Sequence, residues 1–386
     1  MHTVIVGSGI AGWTVARELR KLQPDEQAHP ITLICADTGD FYSKPMLSNA
    51  LASQKTPSTL VMTAAAKIAE QAKVSLKPKT TVSGLNAAQK TVFTDQGEVH
   101  YDQLVLALGA DPIRLPITGS GASDIKSVND LTDYAAFRAA LPEQAKVVVM
   151  GAGLIGCEFA NDLSTAGCEV TVFDIAQWPL GRLLPQTAGD YVKLGLQAAG
   201  VRFEFGNSVT QVEQAVGGGY TVTDSKGTTH QADLVLSAIG LKARTALAQQ
   251  AGLKVDRGIV VDQQGRTSDA SIFALGDCAQ YGTSGLLLPY IQPVMSAGRA
   301  IAANLNGADT AIRFPAMPVT VKTPACPTVI APPAVGTTGQ WDCQTVEDGL
   351  CALFRDDTGK LLGMALLGKA TAQRQALTAE LPALWE

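Results

Sequence analysis

At 386 residues the chain exceeds the ~250 to 300 residues over which one hydrophobic core keeps growing, so two or three domains are expected. With 46% hydrophobic residues, 17% charged residues and 37 glycines, it reads as a packed, turn-rich globular protein, and disorder over most of its length is excluded. A net charge of −5 and an aromatic content of 5% argue against a nucleic-acid partner or an anionic membrane surface, so any basic docking face must be local.

In chain order, residues 3–7 form an apolar strand, residues 7–12 a glycine turn, and residues 13–22 a helix with apolar residues at helical spacing. A second apolar strand over 31–35 completes a βαβ unit. Alternating segments follow over 82–93 and 98–108. The opening pattern then returns: strand over 147–151, glycine turn over 151–156, helix over 157–165, Gly167, and strand over 169–173. Further apolar strands are predicted over 232–240 and 271–276, the latter ending in Asp277. Beyond residue 312 prolines accumulate and the helical pattern stops, with segments 350–354 and 361–367 predicted as a hairpin.

These signals predict an α/β chain with two dinucleotide-binding, Rossmann-like domains, the second inserted in the first, and a small C-terminal α+β domain. The expected boundaries are 1–112 with 246–312, then 113–245, then 313–386. No apolar run reaches the ~18 to 20 residues that span a bilayer, and the N-terminus lacks a basic leader, so a cytoplasmic protein without a membrane partner is expected. The seven cysteines, at 35, 157, 168, 278, 326, 343 and 351, form no Cys-x-x-Cys pair and read as reduced core thiols. The four histidines are dispersed, and no metal site is expected.

The glycine turns carry the chemistry. In a strand–turn–helix unit Gly7 permits the tight turn, Gly9 lets a pyrophosphate approach the backbone, and Gly12 lets helix and strand pack closely. The N–H groups at the start of the helix, from Ile10 and Ala11 onward, face the phosphates. Gly151, Gly153 and Gly156 repeat the spacing. An acidic residue closing the second strand of such a unit hydrogen-bonds the ribose hydroxyls, and Asp37 and Asp174 stand there. Without its glycine turn either would be an ordinary strand-end aspartate. In the second unit the carboxylate repels a 2′-phosphate and the next arginine is Arg182, so NADH is favoured over NADPH.

The order of a first fingerprint, Ala107-Leu-Gly-Ala110, a second fingerprint and Ala274-Leu-Gly-Asp277 resembles the glutathione-reductase-like flavoprotein superfamily over the whole chain. The resemblance implies FAD on the first unit, with Asp277 on the ribityl chain, and NADH on the second. Disulfide reductases of the superfamily need a cysteine pair beside the flavin, and its oxidases and peroxidases a single cysteine. Residues 40–48 hold none, offering Ser43 and Lys44 instead. The segment Tyr42-Ser-Lys-Pro-Met-Leu-Ser48 resembles that of reductases serving ferredoxins and rubredoxins, and residues 288–294 and 319–324 resemble the rubredoxin-serving branch. This implies single-electron delivery to rubredoxin, a small acidic iron protein, feeding an alkane hydroxylase or an oxygen-detoxifying system. A ferredoxin- or flavorubredoxin-type acceptor is the alternative. An NADH-binding redox sensor and an oxidase acting on oxygen species are the readings from other classes.

By analogy with the superfamily, Glu158 is expected to face the nicotinamide side of the flavin with Lys44 as its partner, the two forming the catalytic pair. Val82, Ala107, Val294 and Lys322 are expected at the flavin, Lys322 near its electron-rich pyrimidine side.

Overall fold

The computed structural model describes residues 1–282 and 285–386. Short apolar runs bury both faces when they lie side by side in a parallel sheet covered by helices, and four of them do so here, with the more polar Ser75–Lys77 at one edge. The first sheet has the order Ile272–Ala274, Gln103–Leu106, Thr3–Val6, Ile31–Ile34, Ser75–Lys77, all parallel. The second has the order Val201–Phe205, Glu169–Asp174, Lys146–Met150, Leu234–Ser237, again all parallel. Each first strand feeds a fingerprint helix, Ile10–Leu22 or Leu154–Thr165.

The repeat goes further than the fingerprints. Each unit also carries a three-stranded antiparallel meander: Val82–Asn86, Thr91–Thr94 and Gly97–His100 in the first, Val209–Gln214, Tyr220–Asp224 and Thr229–Ala232 in the second. The chain leaves the first sheet after Leu106 and returns to it only at Ile272. Outgoing Ala110–Pro112 and returning Leu241–Ala243 pair antiparallel, so the two crossings between units are zipped together.

The long helix Ile291–Leu305 then packs on the first fingerprint helix. A Cβ at Gly298 would lie 2.6 Å from Thr14 Cγ2, so the small residue sets the close approach. The last part of the chain forms a five-stranded antiparallel sheet, ordered Val319–Val321, Thr328–Ala331, Leu361–Gly368, Gly349–Arg355, Gln340–Val346. The hairpin expected over 350–354 and 361–367 is its centre. One face of this sheet shares a core with the second unit: Val321, Cys326, Ile330 and Leu350 are buried together with Val149, Cys157 and Leu196. The C-terminal sheet is therefore fixed to the second unit by apolar burial, each such side chain contributing about 1.5–3 kcal/mol.

Candidate functional site

The two glycine turns superimpose in their chemistry. The Gly7 N–H donates to Ile34 O at 2.8 Å and that of Gly151 to Phe173 O at 2.7 Å. The Ala107 N–H donates to Val6 O at 2.9 Å, and that of Ala238 to Met150 O at 2.8 Å. Gly7 and Gly151 have φ of +111° and +103°, and a Cβ on either would meet the carbonyl oxygen of Ala107 or Ala238 at 2.2 and 2.7 Å. A Cβ at Gly12 would lie 1.8 Å from Gly7 O, and one at Gly156 1.9 Å from Gly151 O. Gly9 and Gly153 are different. Nothing lies within 4 Å of where a Cβ would point, so each opens onto free space at the start of its helix. Tight first and third glycines around an open second one are the cradle that a pyrophosphate requires, and the residues fit a dinucleotide in both units.

Asp37 and Asp174 lie beside these turns. Asp37 accepts from Ser8 Oγ at 2.8 Å and from the Gly39 N–H at 3.0 Å. Asp174 accepts from the Ala152 N–H at 2.5 Å and the Ala176 N–H at 2.7 Å. Ser8 and Ala152 hold equivalent fingerprint positions, so each carboxylate is tied to its own turn, by a hydroxyl in one unit and by the backbone in the other.

Ala11, Asp277 and Val294, far apart in sequence, converge. At Gly276, which has φ of +78°, a Cβ would sit 3.3 Å from Ala11 Cβ and 3.9 Å from Val294 Cγ2. Asp277 follows on the short 3-10 helix Gly276–Cys278, and Lys44 Nζ lies 3.8 Å from its Oδ2. Burial pushes the Lys44 ammonium below the ordinary lysine value, and the Asp277 carboxylate opposes that shift. Ile10 opens the first fingerprint helix, half-exposed. Val82 begins the first meander and packs on the first core two residues after Thr80, whose N–H donates to Cys35 O at 2.8 Å.

Glu158 is not paired with Lys44. It is 4% exposed, accepts from Ser48 Oγ at 2.5 Å and from the Lys322 N–H at 3.0 Å, and forms an ion pair with Lys322 Nζ. The reason is the local helix. Residues 44–49 form a 3-10 turn, and at three residues and ~6 Å per turn Ser48 lies ~8 Å along the axis from Lys44 and about 120° around it. One segment cannot aim both side chains at one carboxylate; Ser48 goes to Glu158 and Lys44 to Asp277. Lys322, expected at the pyrimidine side of the flavin, is thus also the ion-pair partner of Glu158.

The rest of this polar face was not anticipated from the sequence. On the second fingerprint helix Asn161 accepts from the Ala325 N–H at 3.0 Å, and Asp162 from the N–H groups of Leu51 at 2.8 Å and Ala52 at 3.0 Å. Three buried polar residues at i, i+3 and i+4 in an otherwise apolar helix were the available signal. Cys35, Cys157 and Cys278 sit next to site residues, but burial pushes their thiols up, that of Cys278 to about 11, so none supplies a thiolate. Among the described residues no group of three or more His, Cys, Asp or Glu could hold a metal, and no helix is long and apolar enough to cross a membrane.

Comparison with known proteins gives two family matches. Residues 1–303 match a model described as pyridine nucleotide-disulphide oxidoreductase, and residues 311–381 one described as rubredoxin binding C-terminal domain. A rubredoxin-NAD(+) reductase of Alcanivorax borkumensis is 43% identical over 100% of both chains. One of Acinetobacter baylyi is 44% identical over 98% of this chain and 97% of its own. Among solved structures, the covalent putidaredoxin reductase–putidaredoxin complex matches with a TM-score of 0.87 at 26% identity, covering 99% of this chain and 94% of the other.

Proposed function

The chain belongs to the pyridine nucleotide-disulphide oxidoreductase family, and on that premise we propose that it is an FAD-dependent reductase that takes hydride from NADH and delivers single electrons to rubredoxin. The observation that carries this reading is the presence, in one chain, of two dinucleotide cradles, a Lys44 segment without thiols, and a C-terminal domain matched to rubredoxin binding. Flavin, when bound, converts the electron pair of a hydride into two single electrons.

The residues divide that work. FAD would be held by the turn from Gly7 to Gly12, Asp37, Val82, Ala107, Asp277 and Val294, with Lys44 and Lys322 as the nearby cations. NADH would be held by the turn from Gly151 to Gly156 and by Asp174. Glu158 stands where the second unit, the Lys44 segment and the C-terminal sheet meet, anchoring Lys322 by two bonds. The charge of Lys322 and Lys44 favours negative charge developing nearby. The proposed domains are 1–112 with 246–312 for FAD, 113–245 for NADH, and 313–386 for the acceptor side. A cytoplasmic location is part of the proposal, supported by seven cysteines that are all free thiols.

Purified yellow protein tests this directly by NADH-driven reduction of cytochrome c. Adding rubredoxin is expected to accelerate turnover by at least about 100-fold while ferredoxin does not; acceleration by ferredoxin or flavorubredoxin alone would replace the acceptor, and fast oxygen consumption without any acceptor would replace the reading with an oxidase.

The choice of nicotinamide cofactor gives a second expectation. Ile175, next to Asp174, is strongly exposed. Asp174→Ala with Ile175→Arg removes a repulsive carboxylate and supplies a partner for a 2′-phosphate. The double variant is expected to lose at least about tenfold in kcat/KM for NADH and to gain at least about tenfold for NADPH, roughly 1.4 kcal/mol each. Because Asp174 also bonds the Ala152 N–H, a drop in Tm from about 1 kcal/mol of lost stability should accompany the switch.

A further inference from the structure

Residues 42–60 belong to the first unit by chain connection, leaving and rejoining it through the antiparallel pair Phe41–Tyr42 and Val61–Thr63. Their side chains are buried elsewhere. Leu47, Ala50 and Leu60 lie in one core with Val149, Cys157 and Leu163 of the second unit. Their polar contacts follow the same course. Lys55 O accepts from Tyr134 Oη at 3.1 Å and from the Arg138 guanidinium, both on the helix Leu131–Ala140. The Leu51 and Ala52 N–H groups donate to Asp162 Oδ2 and Oδ1 at 2.8 and 3.0 Å.

Asp162 is an expensive way to make these bonds. It is 4% exposed and, among the described residues, no Lys, Arg or His nitrogen lies within 4.0 Å of it. A buried carboxylate with only neutral hydrogen-bond donors carries a desolvation cost that the Arg138 charge nearby offsets only in part. Burial accordingly pushes its carboxyl above the usual range, and the two N–H donors pull it back. What a carboxylate offers that an amide does not is two acceptor oxygens at fixed spacing. Both are used, on consecutive N–H groups at the exit of the 3-10 turn that carries Lys44 and Ser48.

We infer that Asp162 is a positioning residue of the reductase: by gripping Leu51 and Ala52 it fixes the Lys44–Ser48 turn on the second fingerprint helix, and so fixes how the NADH-binding unit faces the flavin-binding unit. The inference rests on the reductase reading. The grip acts on hydride transfer, which requires the two units in register, and not on electron delivery to rubredoxin, which leaves from the C-terminal side. Displacements of about 1 Å at a reacting pair cost up to ~100-fold in rate.

The test uses the FAD-loaded full chain carrying Asp162→Asn, with Asp224→Asn as a control for the loss of an equally buried carboxylate that makes no hydrogen bond to residues 44–55. Asp224 is 3% exposed and bonded to Asn207 and His230 in the second meander. Stopped-flow bleaching of the flavin by NADH gives a limiting rate and a half-saturation concentration, photoreduced enzyme mixed with rubredoxin gives the reoxidation rate, and hydrogen exchange reports on the amides of residues 44–55. For Asp162→Asn the limiting rate is expected to fall about tenfold, with half-saturation and reoxidation changed less than about twofold and exchange over 44–55 accelerated. Asp224→Asn is expected to lower Tm and leave both rates intact. An unchanged limiting rate despite faster exchange overturns the inference, as does a parallel fall of both rates, which would mark a purely structural carboxylate. Wild-type flavin that NADH does not bleach would instead overturn the reductase reading itself.

Discussion

Gly7→Ala is expected to yield a nearly colourless protein. The residue has φ of +111°, outside the left-handed well that an L side chain tolerates, and the added Cβ would lie 2.2 Å from Ala107 O. Neither contact can relax cheaply. The Gly7 N–H is bonded to Ile34 O, and the Ala107 N–H to Val6 O, so both sides of the overlap are tied to neighbouring strands of one sheet. Backbone strain of this kind costs about 1–3 kcal/mol before the overlap is counted, and it falls on the turn that presents N–H groups to the pyrophosphate. The ratio of 450 nm to 280 nm absorbance after purification is expected to drop at least about tenfold, with a lower Tm that added FAD does not restore. Gly9→Ala separates fold from function at the same turn. Its Cβ meets nothing within 4 Å and its φ is −65°, so the flavin-free protein should keep its Tm while FAD affinity falls. Full flavin content in both variants would mean that the first unit does not hold the cofactor.

The contrast between these two glycines explains what could be read from the chain. The close packing of Gly12 on Gly7 and of Gly156 on Gly151 is set within five positions, so the strand–turn–helix order of both copies was legible in the sequence, as was the C-terminal hairpin from its own apolar runs. Boundaries were softer: the fingerprint helices start at Ile10 and Leu154, three residues before the apolar periodicity becomes visible, because glycine at the N-terminus hides it. The helices Leu131–Ala140 and Gln186–Ala198 were not anticipated. Signals for both were present: an Asp130 cap opens the first, and the second buries Ala188, Val192 and Leu196 at helical spacing, although Gly189 and Gly195 interrupt its propensity. Side-chain pairing was the least legible. Lys44 and Glu158 are both near the expected flavin position, and charge alone makes them partners. The rotation of a 3-10 turn and a strand arriving from residue 322 decide otherwise, and neither leaves a mark in local sequence.

Glu158→Ala is the change expected to cost most at the candidate site, because three donors from two other parts of the chain end on that one carboxylate. Removing it strands the Ser48 hydroxyl, the Lys322 N–H and the Lys322 ammonium together. Breaking a fully buried pair costs about 3–5 kcal/mol. Lys322 keeps 26% of its side chain exposed and can turn partly to water, so about 2–3 kcal/mol is the appropriate expectation for this pair. In a protein of this size that corresponds to a fall in Tm of roughly 2–4 °C. The limiting rate of flavin reduction by NADH should fall by about 100-fold, since the orientation of Lys322 and the hold on Ser48 of the Lys44 turn are both lost. Glu158→Gln preserves shape and an acceptor for the Lys322 N–H but removes the charge, so it should retain most of the stability and lose most of the rate. A double-mutant cycle with Lys322→Met then isolates the ion pair: a coupling energy near 2 kcal/mol is expected if the two act as one unit. Additive losses would assign Glu158 to the Ser48 turn alone and leave Lys322 acting independently of it.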